Sequence, residues 1–210
     1  YEQAKAEAET MLLAQMAVGL PATIHRPSMV VGDSRDGRII HFQVFYYLAR
    51  FLAGSRTRGI LPAFGDVKLD LVPADHVARC VVASIGRADS IGRIFHLCAG
   101  PAQAAPLAEI GEALRHFLRA QGERTFNPRY LPRGAMRVLI RSASLVGGAR
   151  TARALASLPF FLDYLEEAQV FANNRTHEFS AQANLRSPPW REFLPAILQC
   201  WYARRAATGA

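Results

Sequence analysis

The chain has 210 residues, half of them hydrophobic, and a net charge of +8. That is enough apolar material for a real core, while no apolar run reaches the roughly 20 residues that a membrane span needs. All but Lys5 and Lys68 of the 25 basic residues are arginines, dispersed and not interleaved with stacking aromatics, which argues against nucleic acid and leaves a basic surface or scattered contacts with phosphate groups.

Tyr1 and Lys5 stand four residues apart, one turn along one face of a helix. An ammonium beside a phenol favours the phenolate, so a tyrosine so placed can give or take a proton near neutral pH. Residues 6–18 continue this helix, with Ala4, Ala8, Met11, Leu12 and Met16 as an apolar stripe, Gly19 as its cap and Pro21 as its stop. Residues 22–32 then read as one buried strand leaving a sheet. Within it Pro27 has no N–H to pair, which frees the backbone of Ser28, Met29 and Val30 to meet a ligand at the sheet's C-terminal edge. A turn follows at Gly32-Asp33-Ser34-Arg35-Asp36-Gly37, where Arg35 is either a contact for an anionic substrate arm or a solvated turn residue.

Residues 38–53 read as an aromatic-rich helix, either core or the lining of an apolar channel. A basic loop spans 54–59. Residues 68–72 alternate as a strand, Pro73 suits a strand-to-helix junction, and 74–85 continue as a helix with Asp75 as its cap. Residues 93–98 form another strand. After Gly100-Pro101 the texture changes to helices at about 107–120, 133–146, 150–168 and 190–205. His25, His41, His76 and His96 lie in apolar or strand contexts and read as structural. Cys80, Cys98 and Cys200 form no CxxC and no cluster of metal-ligand spacing, as expected for reduced thiols in a cytoplasmic protein without a metal site.

Helix and strand alternate over residues 1–100, the mark of an α/β fold. The expected architecture is the C-terminal part of a Rossmann-type doubly wound parallel sheet over 1–100, with 33–65 contributing to the substrate side. A mostly helical substrate-binding cap is expected over 101–210.

The Tyr1-x-x-x-Lys5 helix, the strand ending in Arg26-Pro27-x-x-Val30-x-Gly32 and the Gly32-Asp33-Ser34-Arg35 turn together resemble the extended short-chain dehydrogenase/reductases. Within them the chain is similar to the fatty acyl-CoA reductase ("male sterility") and thioester reductase branch. The segment Leu69-Asp70-Leu71-Val72-Pro73-Ala74-Asp75-His76-Val77-Ala78 resembles that branch's Asp-Leu-Val-Pro-Val-Asp-x-Val-Ala signature, and Ile94-Phe95-His96-Leu97 its next strand. The resemblance is specific over residues 1–100 and thin beyond. Ala4 stands where the family has Ser. The glycine-rich phosphate loop and the upstream Ser or Thr are absent, and the tyrosine is residue 1. The chain therefore reads as the C-terminal portion of a longer enzyme, inactive by itself.

The resemblance implies an oxidoreductase that uses NADPH, with NADH left open, to reduce an acyl thioester on CoA or a carrier protein to aldehyde or alcohol. It implies Tyr1 and Lys5 as the catalytic pair, with both also touching the cofactor. It implies Pro27, Ser28, Met29 and Val30 beside the nicotinamide. The alternatives are a sugar-nucleotide epimerase/dehydratase or hydroxysteroid-type dehydrogenase of the same superfamily, and a non-catalytic module that binds a nucleotide or a partner.

Overall fold

The computed structural model describes residues 2–41, 44–55, 57–132, 134–136, 138 and 171–208. It begins with helix α1 (Glu2–Ala17), which closes where Gly19 takes a φ of +107°, a conformation that L side chains resist. Of its described side chains only Glu9, Leu12 and Met16 are half-buried. Their spacing of three and four residues makes them one face, turned to the sheet, with Lys5 one turn before Glu9. Ala4, Ala8 and Met11 of the anticipated stripe are exposed.

Residues 22–32 do not form a single strand with one partner. β1 (Ile24–Pro27) pairs in parallel with Ile94–Leu97, and β2 (Met29–Val31) pairs in parallel with Leu71–Pro73. Successive N–H groups of an extended chain point to opposite sides. Ile24 and Ser28 donate to Arg93 O and Leu97 O on one side, and Met29 donates to Asp70 O on the other. Pro27 would face that second side and has no N–H to give, so pairing there starts only at Met29. A matching break at Asp70 divides the strand expected at 68–72 into β4 (Lys68–Leu69) and β5 (Leu71–Pro73).

The aromatic helix α2 (Val44–Leu52) is shorter than expected. Residues 38–41 are not helical, and Phe42 and Gln43 lie outside the described residues. The turn before them closes on itself, Asp33 N–H donating to Arg38 O and Gly37 N–H to Asp33 O, which leaves residue 38 outside a helical register. Four further elements had no strand or helix signal recognised in the sequence. β3 (Ile60–Pro62) pairs in parallel with β8 (Arg129–Leu131), and β7 (Ala105–Pro106) pairs antiparallel with β4. Helix α3 (Ala74–Ser84) and strand β6 (Ile94–Leu97) fall where expected, as does α4 (Leu107–Ala120). The fourth unexpected element is α5 (Asn174–Gln182), and α6 (Trp190–Thr208) closes the described chain. The helices expected at 133–146 and 150–168 lie almost wholly outside the described residues. The described part of 101–210 is thus not purely helical, because two of its segments are strands that pair back onto residues 60–69.

The larger apolar cluster gathers Phe45, Leu48 and Leu52 of α2, Ile110, Leu114 and Leu118 of α4, and Phe193, Ile197 and Trp201 of α6. Each helix contributes a stripe at three- and four-residue spacing, and burying each such side chain is worth about 1.5–3 kcal/mol. A smaller cluster of Cys80, Phe95, Leu97 and Phe179 joins α3, β6 and α5, with the two phenyl rings 4.7 Å apart. The turn at residues 32–37 is pressed against α6. A Cβ on Gly37 would overlap Ala196 O and Ile197 Cα, and one on Gly32 would overlap Gly37 O.

Candidate active site at the strand ends

The parallel strands β1, β2, β5 and β6 bring Ser28, Pro73 and Cys98 to their C-terminal edge, where open α/β sheets bind ligands. Asp70 sits between these ends and is 8% exposed. Its Oδ1 accepts hydrogen bonds from Ser28 Oγ (2.7 Å) and Ala99 N–H (2.7 Å), and its Oδ2 accepts one from Gly100 N–H (2.9 Å). A buried carboxylate needs such donors, since leaving it unpaired costs several kcal/mol. Asn173 closes the exit of β6 from the other side, its Nδ2 donating to the carbonyls of Cys98 and Ala99 at 3.3 Å each. Gly100 has a φ of +80°, and a Cβ there would overlap the Asn173 side chain. A cavity of about 560 Å³ opens along this exit, lined by His76, Cys98, Ala99 and Asn173 among others.

Asp75 is a fastener for a neighbouring turn, not the cap of its own helix that its position suggests. Its carboxylate accepts from Ser34 N–H (2.8 Å) and Ser34 Oγ (3.0 Å) and pairs with Arg79 one turn on (3.1 Å). It thereby ties the turn at residues 32–37 to the start of α3. Arg35, on the outside of that turn, grips Asp33 with two guanidinium bonds of 2.8 and 3.0 Å. The Arg35 guanidinium, with its backbone N–H, pulls Asp33 down to about 2, and the arginine is raised in turn. Arg35 is therefore exposed but already committed to a carboxylate.

Tyr1 lies outside the described residues. Lys5 is on an exposed part of α1. The helix that carries it is joined to the sheet by a polar chain. Glu9 accepts from Arg26, Arg26 Nη1 lies 3.1 Å from His96 Nε2, and His96 Nδ1 lies 3.1 Å from Ala172 O. That geometry makes His96 Nδ1 the protonated nitrogen and Nε2 the acceptor. The Arg26 bond holds Glu9 below the usual carboxylate range. Arg26 is exposed and Glu9 only half-buried, so solvent screens the pair and it orients α1 more than it stabilises the fold.

The remaining titratable groups near the strand ends are structural. Burial holds His25 and His76 below the usual histidine range, so both are neutral. His76 Nε2 lies 3.5 Å from Cys80 Sγ. Burial pushes the Cys98 thiol up to about 11, with the Asp70 charge adding to the effect, and burial also raises Cys80. Neither thiol is set up as a nucleophile. Among the described residues no group of three His, Cys, Asp or Glu is placed to hold a metal ion, and no helix is long and apolar enough to cross a membrane.

Residues 1–81 match the family model described as male sterility protein. A nonribosomal peptide synthetase of Aspergillus flavus, asaC, is 28% identical over 97 residues, 46% of this chain and 9% of that protein. The L-2-aminoadipate reductase of Schizosaccharomyces pombe is 31% identical over 101 residues, 48% of this chain and 7% of that protein. Among solved structures, the terminal R domain from the myxalamid PKS–NRPS biosynthetic pathway is 25% identical with a TM-score of 0.70. That alignment covers 98% of this chain and 49% of the R domain, so the chain spans about half of that structure and less than a tenth of the two curated relatives. The match over residues 1–81 and the R-domain likeness agree, and both make this chain similar to the extended short-chain dehydrogenase/reductases of the thioester-reductase kind.

Proposed function

We propose that the chain supplies the catalytic tyrosine and the substrate-side lobe of an NADPH-dependent reductase of acyl thioesters. The thioester is carried on CoA or on a carrier protein and leaves as aldehyde or alcohol. The observation that carries this reading is the likeness to a terminal R domain over 98% of the chain. The relatives in peptide-synthetase and aminoadipate-reductase proteins favour a carrier-bound substrate over free CoA.

The residues present fit the nicotinamide end of the cofactor. Ser28, Met29 and Val30 are half-buried at the strand ends, although the backbone expected to be free there is paired, Ser28 N–H with Leu97 O and Met29 N–H with Asp70 O. The chain carries no glycine-rich turn for a pyrophosphate, so the complete reductase joins this chain to a segment that has one. When bound, the nicotinamide supplies hydride. Tyr1 gives its proton to the carbonyl oxygen, Lys5 lowers the tyrosine pKa and meets the ribose, and loss of the thiol then yields the aldehyde. Arg35 meets a substrate phosphate only by exchanging Asp33 for it.

The test is a substrate panel given to the complete reductase, with NADPH oxidation as the readout. Acyl-CoAs of several lengths, a carrier-bound thioester and free aldehydes should support turnover. The rates should change smoothly with chain length, because an apolar pocket discriminates by roughly 1 kcal/mol per methylene. Turnover confined to a sugar nucleotide or a steroid would place the protein in another branch of the superfamily.

A further inference from the structure

We propose that Asp70 is a positioning residue for this reaction. Its carboxylate fixes Ser28 as a hydrogen-bond acceptor toward the nicotinamide carboxamide and holds together the two strand exits beside it. The inference rests on the nicotinamide reading above and adds to it a residue and a polarity.

The chain crosses between partners at Ser28. Up to that residue it is paired with β6, and from Met29 it is paired with β5. Asp70 stands opposite this crossing. It holds the crossing twice, with its carbonyl accepting Met29 N–H at 3.1 Å and its Oδ1 accepting the Ser28 hydroxyl at 2.7 Å. The rest of the carboxylate takes the two N–H groups just past β6, those of Ala99 and Gly100. Three donors from two separate chain segments thus converge on one buried carboxylate. Among the described residues its negative charge is met by hydrogen bonds and by no ion pair.

The polarity follows from what each group can do. An ionised carboxylate accepts and never donates. The Ser28 proton is therefore committed to Asp70, and Ser28 offers lone pairs to anything that approaches its half-buried side. A ligand must meet it with a donor. The carboxamide NH₂ of nicotinamide is a donor, whereas an acetyl group of nearly the same shape is not.

The experiment compares equilibrium binding of NADPH with that of the reduced 3-acetylpyridine analogue of NADP to the complete reductase. Binding is measured, not rate, because the two differ intrinsically as hydride donors. Wild type should prefer NADPH about three- to tenfold, the worth of one hydrogen bond. Ser28→Ala should abolish the preference. Asp70→Ala should abolish it too, because no acceptor is left for the Ser28 proton and the hydroxyl is released. The double variant should be no worse in preference than either single one, as expected for residues acting as a unit. Where Asp70→Ala does not fold, Ser28→Ala decides alone. A wild type without preference, or a Ser28→Ala variant that keeps it, overturns the inference even if thioester turnover is intact. A wild type that turns over no thioester with NADPH overturns the functional reading, and this inference with it.

Discussion

Replacing Gly37 with alanine should destabilise the chain by about 2–5 kcal/mol, because two separate costs fall on one residue. Gly37 has a φ of +70°, and a non-glycine residue there costs about 1–2 kcal/mol. The new Cβ would also overlap Ala196 O and Ile197 Cα, backbone atoms that cannot rotate aside, which adds about 1–3 kcal/mol of overpacking. Gly122 provides the control. Its φ is +78°, yet a Cβ there meets nothing within 4 Å, so Gly122→Ala should show the conformational cost alone, about 1–2 kcal/mol. Urea unfolding of the two variants beside wild type measures the difference directly through the transition midpoints. Against a typical total of about 5–15 kcal/mol the Gly37 effect is large. Equal losses in the two variants would mean that the turn at residues 32–37 is not seated on α6, and the assignment of that turn to the substrate-side lobe would fall with it.

Three other outcomes are expected. In the complete reductase Tyr1→Phe should lower turnover by about a hundredfold or more while leaving cofactor binding nearly intact, and Lys5→Met should damage both; steady-state rates beside cofactor titrations separate the two, and near wild-type turnover in Tyr1→Phe would remove that residue from the chemistry. Asn173→Ala should cost about 1–2 kcal/mol, since two long hydrogen bonds to the Cys98 and Ala99 carbonyls are lost, and denaturant unfolding would show no change if the exit of β6 were held by other groups. Asp33 should titrate near 2 and not at its ordinary 3.8. Because its folded pKa is depressed, the contribution of the Asp33–Arg35 fork is present above about pH 4 and is lost as pH falls through about 2. Carboxyl-carbon NMR would detect this, Arg35→Gln should return the titration toward 3.8, and an ordinary value in wild type would show that the fork does not persist.

Element types were legible where a local signal sufficed. Helix α4 announces itself by Leu107, Ile110, Leu114 and Leu118, and α1 by the cap at Gly19. The breaks at Ser28 and Asp70 were not legible, because a strand's change of partner is a property of its neighbours and not of its own alternation. Pro27 marks the break, because its missing N–H falls on the side of β5, where pairing starts only at Met29. The short strands β3, β7 and β8 were missed for a related reason. Two or three residues give no period, and each is defined by a pairing partner at least 36 positions away in sequence, as in Leu69 with Ala105 and Ile60 with Arg129. Asp75 was placed correctly at a helix start and given the wrong job, since its own helix offered its N–H groups but Ser34 offered a better set.

Asp70 shows what the local pattern does not carry. An aspartate between Leu69 and Leu71 fits the alternation of residues 68–71, which would turn it toward water. Yet the leucines on either side are buried, and so is Asp70. A charged group buried at such a position must be satisfied from elsewhere, and the groups that do so mark which distant segments meet. Here they are Ser28, Ala99 and Gly100, at the ends of the strands that frame the candidate site. Asp75 repeats the logic at the next junction by drawing in Ser34. Two carboxylates five residues apart thus fix two different loops at the same sheet edge. The site residues legible as motifs, Ser28 and Arg35, each lie in a segment whose position is set by an acidic residue on the β4–β5–α3 run.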